Sequence, residues 1–141
     1  MAPGYSPAAL EASLDAYRKG VHVDPDRDRR SKYSLHVSNL YAGLQRWEEA
    51  RAAANEVLKL DPPDNPEFAK RRTAARSAIV SYYHQEGRLQ EALAGFRGLL
   101  AESTDPEERQ SLATTVADIE SELNPNPLYV ETPDVELKEA R

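Results

Sequence analysis

The chain contains no cysteine, which removes disulfide frameworks, thiolate metal sites and a cysteine nucleophile together. That usage agrees with a reducing compartment, so a cytoplasmic location is the expectation. No apolar run approaches the roughly 20 residues that span a bilayer. Met1 to Pro7 also has neither the basic start nor the apolar stretch of an export signal. Membrane insertion is therefore not expected, nor secretion by that route. No alternating apolar and polar run argues for a strand. HExxH, GxSxG, P-loop and dinucleotide patterns are all missing, and the three histidines, His22, His36 and His84, lie far apart in sequence. Adjacent carboxylates such as Glu48 and Glu49 point in different directions on a helix, and solubility accounts for them. No enzyme activity, catalytic residue, cofactor or metal site is expected. A formal charge of -6 repels phosphate backbones. The basic clusters also lack the stacking aromatics of single-strand binders, so nucleic acid is not an expected partner.

What is present describes an ordinary globular chain of one domain: 141 residues, 40% hydrophobic and 30% charged, well away from the composition of disorder. Its ten prolines fall at 3, 7, 25, 62, 63, 66, 106, 125, 127 and 133, and proline is tolerated at helix starts and joints but not inside helices. Between these marks runs helical periodicity. Leu10, Leu14, Tyr17 and Val21 line one helix face, as do Tyr33, Val37, Leu40 and Leu44, then Leu112, Val116, Ile119 and Leu123. Ser6 and Pro7 read as a cap and first turn. Trp47 to Leu60, Pro66 to Glu86 and Leu89 to Ala101 also fit helices, with Phe68, Ala75, Ile79 and Tyr83 expected to face inward. The fold class is all-α, with about six helices in tandem antiparallel hairpins.

The hairpins repeat in register. Trp47-Glu-Glu-Ala50 aligns with Leu89-Gln-Glu-Ala92; Tyr41 and Tyr83 each precede the alanine by nine residues, and Val57-Leu58 and Leu99-Leu100 follow it in matching places. Leu60-Asp61-Pro62 closes one unit, and Val23-Asp24-Pro25 closes a preceding half unit in which Gly20 takes a small-residue position. This arrangement resembles the tetratricopeptide repeat family, in which a large residue, a leucine-glycine step and a tyrosine on the first helix precede alanine, an aromatic, alanine and proline. Val37, Tyr41, Ala50, Leu58 and Pro62 match in the first unit; Ile79, Tyr83, Gly87, Ala92 and Phe96 match in the second. Ser38 and Gln45 stand where glycine is common, and Ala54 where an aromatic is common. Ala92 follows Ala50 by 42 residues, against a family period of about 34, so extra residues lie between Pro63 and Arg72. The predicted organisation is a flexible N-terminus (1–5) and a helical repeat domain (6–123) made of a half unit (7–25), a unit (31–62), a second unit (66–103) and a capping helix (106–123). A mobile or docked tail (124–141) follows.

The resemblance implies a protein-binding adaptor or scaffold whose first helices line a concave peptide groove. Lys32, Leu35, His36, Asn39 and Gly43 on one first helix, and Ser77, Ser81, His84 and Gln85 on the next, are the implied groove residues. Asn39 stands where peptide-binding relatives carry an asparagine that grips the ligand backbone; a solvated polar residue is the competing reading. Leu35 and Ala78 occupy the places where a two-carboxylate clamp needs lysine or arginine, so recognition of chaperone C-termini is not implied. Arg29, Arg30, Arg71, Arg72 and Arg76 are the expected basic edge, favouring an acidic peptide. Against this, Asp24, Asp26, Asp28 and Glu67 interleave with these cations, as on an ordinary solvated face. His36 and His84, with Glu86, read as polar groove contacts rather than metal ligands. The alternative function is a self-associating homo-oligomer whose groove is filled by another copy or by the tail segment Leu128-Tyr129-Val130. Asn126-Pro127-Leu128-Tyr129 also matches a short adaptor-recognised tyrosine turn, a match that four residues make easily by chance.

Overall fold

The computed structural model describes residues 6–124. Expectations for residues 1–5 and for the tail beyond Asn124, including Asn126 to Val130, fall outside the described residues. Regular structure among the described residues is entirely helical: α1 (Pro7–Val23), α2 (Arg27–Gly43), α3 (Trp47–Leu60), a 3-10 turn (Pro66–Phe68), α4 (Ala69–Glu86), α5 (Leu89–Glu102) and α6 (Pro106–Leu123). The protein is all-α. No helix among them is long and apolar enough to cross a membrane. Two compact units divide the chain, Met1–Glu86 with α1 to α4 and Gly87–Arg141 with α5 and α6. The predicted repeat 66–103 therefore has its first helix in one unit and its second in the other.

Helix starts follow local chemistry. Ser6 Oγ accepts from the Ala9 N–H at 3.1 Å ahead of Pro7, and Asp26 Oδ1 accepts from the Asp28 N–H at 2.9 Å, each satisfying a first-turn donor that has no partner inside the helix. The Asp26 cap starts α2 at Arg27, earlier than the predicted 31. The cluster Arg27 to Lys32 thus forms the first turns of α2 rather than a loop before it. Glu48 and Glu49 sit in the first turn of α3, where the helix dipole favours negative charge.

Successive helices of the first unit pack in order, α1 on α2, α2 on α3 and α3 on α4. Leu14, Val37, Tyr41, Ala50 and Tyr82 form the larger buried cluster, and Ala54, Val57 and Ala75 a second one, joined by Leu35, Leu58 and Ile79. Where α2 meets α3 the contact is made by small residues: Ser31, Ser38, Ala50 and Ala54 are all fully buried, and Ser38 Oγ donates to the Ala50 carbonyl at 2.8 Å. Serine at 38 and alanine at 54, where the resemblance anticipates glycine and an aromatic, are both small enough for this close approach. On α4 the inward aromatic is Tyr82, not Tyr83 as expected. Ala75, Ile79 and Tyr82 keep the i, i+4, i+7 spacing of one face, whereas Tyr83 turns aside and takes the Arg51 guanidinium over its ring at 4.3 Å. In the second unit α5 packs on α6, with Ala92, Val116 and Ile119 buried.

The 42-residue register seen in the sequence recurs in bonding. Gln45 and Gly87, one register apart, both have positive φ, 60° and 90°. Arg46 donates to Glu49 at 2.7 and 2.5 Å, and Arg88 to Glu91 at 3.2 and 2.6 Å. The carbonyls of Leu58 and Asp61 at the end of α3 accept from Arg72 Nη1 at 2.8 and 2.6 Å; those of Leu100 and Ser103 at the end of α5 accept from Arg109 Nη1 at 2.6 and 2.8 Å. In each case an arginine of the following helix satisfies carbonyls that lack an intrahelical donor. Left-handed backbone strains any side chain with a Cβ, so Gln45→Gly should raise stability by up to about 1 kcal/mol. Gly87→Ala should lower it by a similar amount. Urea midpoints at constant slope would read both.

Candidate peptide groove on α2 and α4

Helices α2, α3 and α4 are held by a charged joint at one end of the first unit. Arg71, in the first turns of α4, donates from Nε and Nη2 to both carboxylate oxygens of Asp61 at 2.7 Å each, and from Nη2 to Asp28 of α2 at 2.8 Å. Asp61 follows α3 directly and is only 2% exposed. One guanidinium therefore ties the start of α2, the end of α3 and the start of α4, and its planar fork suits the two-oxygen acceptor. Both carboxylates hold the Arg71 proton more tightly than an isolated guanidinium would, and the same hydrogen bond keeps Asp28 below the ordinary aspartate value. Arg27 Nη2 adds a hydrogen bond to the Lys59 carbonyl at 3.3 Å. At the far end Arg51, buried on α3, pairs with Glu86 of α4.

On this frame Lys32, His36, Asn39 and Gly43 form an exposed stripe along α2, at the i, i+4, i+7, i+11 spacing of one face. Lys32 Nζ lies 3.4 Å from Asp28. His36 stacks on Tyr17 of α1 with ring centroids 4.8 Å apart, and Gly43 faces the Leu10 side chain. Asn39 Oδ1 accepts from the Tyr82 hydroxyl at 3.3 Å, and that hydroxyl also reaches Ser38 Oγ at 3.5 Å. Leu35 departs from the expected groove role, being half-buried against Ala54, Val57 and Ala75. On α4, Ser77, Ser81 and His84 are half-buried and Gln85 is exposed; Gln85 Nε2 donates to Ser81 Oγ at 3.0 Å. Among the described residues no three histidine, aspartate or glutamate groups gather as a metal site.

The expected basic edge behaves differently from an open row of cations. Arg71 and Arg72 turn inward to Asp61, Asp28 and the end of α3. Arg29 pairs with Asp24 at 2.7 Å and Asp26 at 3.1 Å, which holds Asp24 below its usual range. Arg30 lies away from the exposed stripe, in a cleft between α1 and α3. Arg76 is half-buried on α4. Asp24, Asp26 and Asp28, which competed with the acidic-peptide reading, are partners of Arg29 and Arg71. Sequence reasoning missed Tyr82, which orients Asn39; its signal was the i+7 spacing from Ala75.

No protein-family model, curated protein or solved structure matches this chain.

Proposed function

We propose that this chain is a tetratricopeptide-like protein-binding module that takes an extended peptide segment of another protein along the exposed face of α2 and α4. The observation that carries the reading is the Asn39 amide. Its oxygen accepts from the Tyr82 hydroxyl, which leaves the two N–H donors of this exposed residue for a ligand. A peptide carbonyl answers such a group, and Gln85 and Ser81 offer further donors and acceptors alongside. Of the guanidiniums that would have favoured an acidic ligand, Arg29 and Arg71 are engaged with carboxylates of the protein itself and Arg72 with carbonyls at the end of α3, so the reading carries no acidic preference.

Random-peptide display on the purified chain tests it. Enriched peptides should bind Asn39→Ala about tenfold more weakly, the loss of one or two hydrogen bonds at about 1 kcal/mol each, with an unchanged circular dichroism spectrum. Leu35 is unsuitable as a groove probe because its substitution would disturb the core. No enriched peptide, or equal binding by Asn39→Ala, would overturn the proposal. Concentration-dependent mass in sedimentation, without peptide binding, would favour self-association instead.

A further inference from the structure

The opposite side of α2 from the Lys32-to-Gly43 stripe carries a second concavity. Arg30, Ser34, Val37 and Tyr41 repeat along α2 at helical spacing, roughly half a turn around the axis from the stripe, and form the floor of a cleft of about 530 Å³. Arg18, Val21 and His22 of α1 make one wall; Glu49, Ala52, Ala53 and Glu56 of α3 make the other. The volume lies within the range of small-molecule sites, about 300–1,000 Å³.

Charge distinguishes the two walls. The acidic wall is already answered from within the protein, since Glu49 accepts two hydrogen bonds from Arg46 and Glu56 lies 3.9 Å from Lys59. The basic groups are less fully answered. Arg30 Nε is buried with no acceptor, and Arg18, at an exposed position, acts on Glu49 across the cleft only at a distance, without a direct ion pair. Ser34, only 3% exposed, lines the same cleft, and no hydrogen bond engages its hydroxyl among the described residues. Arg30 and Arg18 are the two guanidiniums that line the cleft, and a charge-assisted hydrogen bond to an anion is the strongest contact such groups make. Between these groups the surface is apolar, from Val21, Val37 and the alanines of α3.

We propose that the cleft between α1 and α3 binds a small carboxylate with an aliphatic body, the carboxylate held by Arg30, Arg18 and Ser34 and the body lying on Val21, Val37 and Ala53. A small molecule is the proposed occupant because the cleft has the volume of a small-molecule site and an apolar stretch between its guanidiniums. This site is independent of the peptide groove: it uses another face of α2 and none of the groove residues.

Titration of the full chain with octanoate, octan-1-ol, acetate and a short peptide ending in a leucine carboxylate tests it by calorimetry and amide chemical shifts. Octanoate should bind at least tenfold more tightly than octan-1-ol or acetate and shift the amides of Val21, Val37 and Ala53. Arg30→Gln should lower octanoate affinity at least tenfold and leave octan-1-ol unaffected. Arg18→Gln, at an exposed position, gives the same comparison if Arg30→Gln disturbs folding. Equal binding of octanoate and octan-1-ol, no octanoate binding at millimolar concentration, shifts outside the cleft, or tighter binding of the peptide would each overturn the assignment.

Discussion

Arg71→Met should destabilise the protein by about 3–5 kcal/mol, because it leaves the buried Asp61 carboxylate without its counter-charge. Asp61 accepts both of its side-chain hydrogen bonds from that one guanidinium, and its 2% exposure denies it water. The loss would also free the start of α4 from the starts and ends of α2 and α3. For a unit of this size it should lower Tm by roughly 10 °C or more, read by thermal circular dichroism. Arg71→Met combined with Asp61→Leu should recover a large part of the loss, since replacing both members of a buried pair by apolar groups removes the uncompensated charge. Acid titration gives a second readout. Asp28 is depressed first by its Arg71 hydrogen bond, so it contributes stability that is complete above the unfolded value of 3.8 and lost as pH falls through the lower folded value. In Arg71→Met that part of the acid dependence should shrink.

Leu14→Ala should cost about 2–5 kcal/mol. Leu14 is 1% exposed and packs in the cluster with Val37, Tyr41, Ala50 and Tyr82, so truncation leaves a void that the close serine and alanine contacts of α2 and α3 leave little freedom to fill. The prediction separates two views of α1. As an integral wall of the core, its loss of one buried side chain lowers the urea midpoint of the whole first unit in one cooperative step. As a loosely attached leading helix, it would unfold alone and leave the tyrosine signals of α2 and α4 unchanged. Because Leu14 lies outside the cleft, octanoate binding to the folded fraction should persist.

Much of the helical layout was legible because proline and amphipathic spacing act locally. Pro7, Pro66 and Pro106 mark the starts of helical segments, and Leu14, Val37, Val116 and Ile119 are buried on the faces their spacing implied. The 42-residue register was legible as well, and it reappears as matched backbone and arginine bonding that no apolar pattern encodes. Other features escaped. Tyr82 and Tyr83 differ by one residue, and periodicity alone does not resolve which of two adjacent aromatics enters a helix contact. The basic clusters were read as an edge because sequence reports which charges are near one another along the chain, whereas Arg71 meets Asp28 43 positions away.

The amino-acid order alone determined that this is an all-helical chain, where its turns lie, and which stripes are apolar, since each depends on residues within a turn or two of one another. Tertiary structure decided which charges are available. Whether an arginine greets a ligand or closes a helix end depends on acceptors contributed by other helices, and their convergence is a property of packing. Arg71 and Arg72 are thereby withdrawn into the frame, Asn39 is oriented by Tyr82, and Arg30 is left facing a cleft that no single helix encloses.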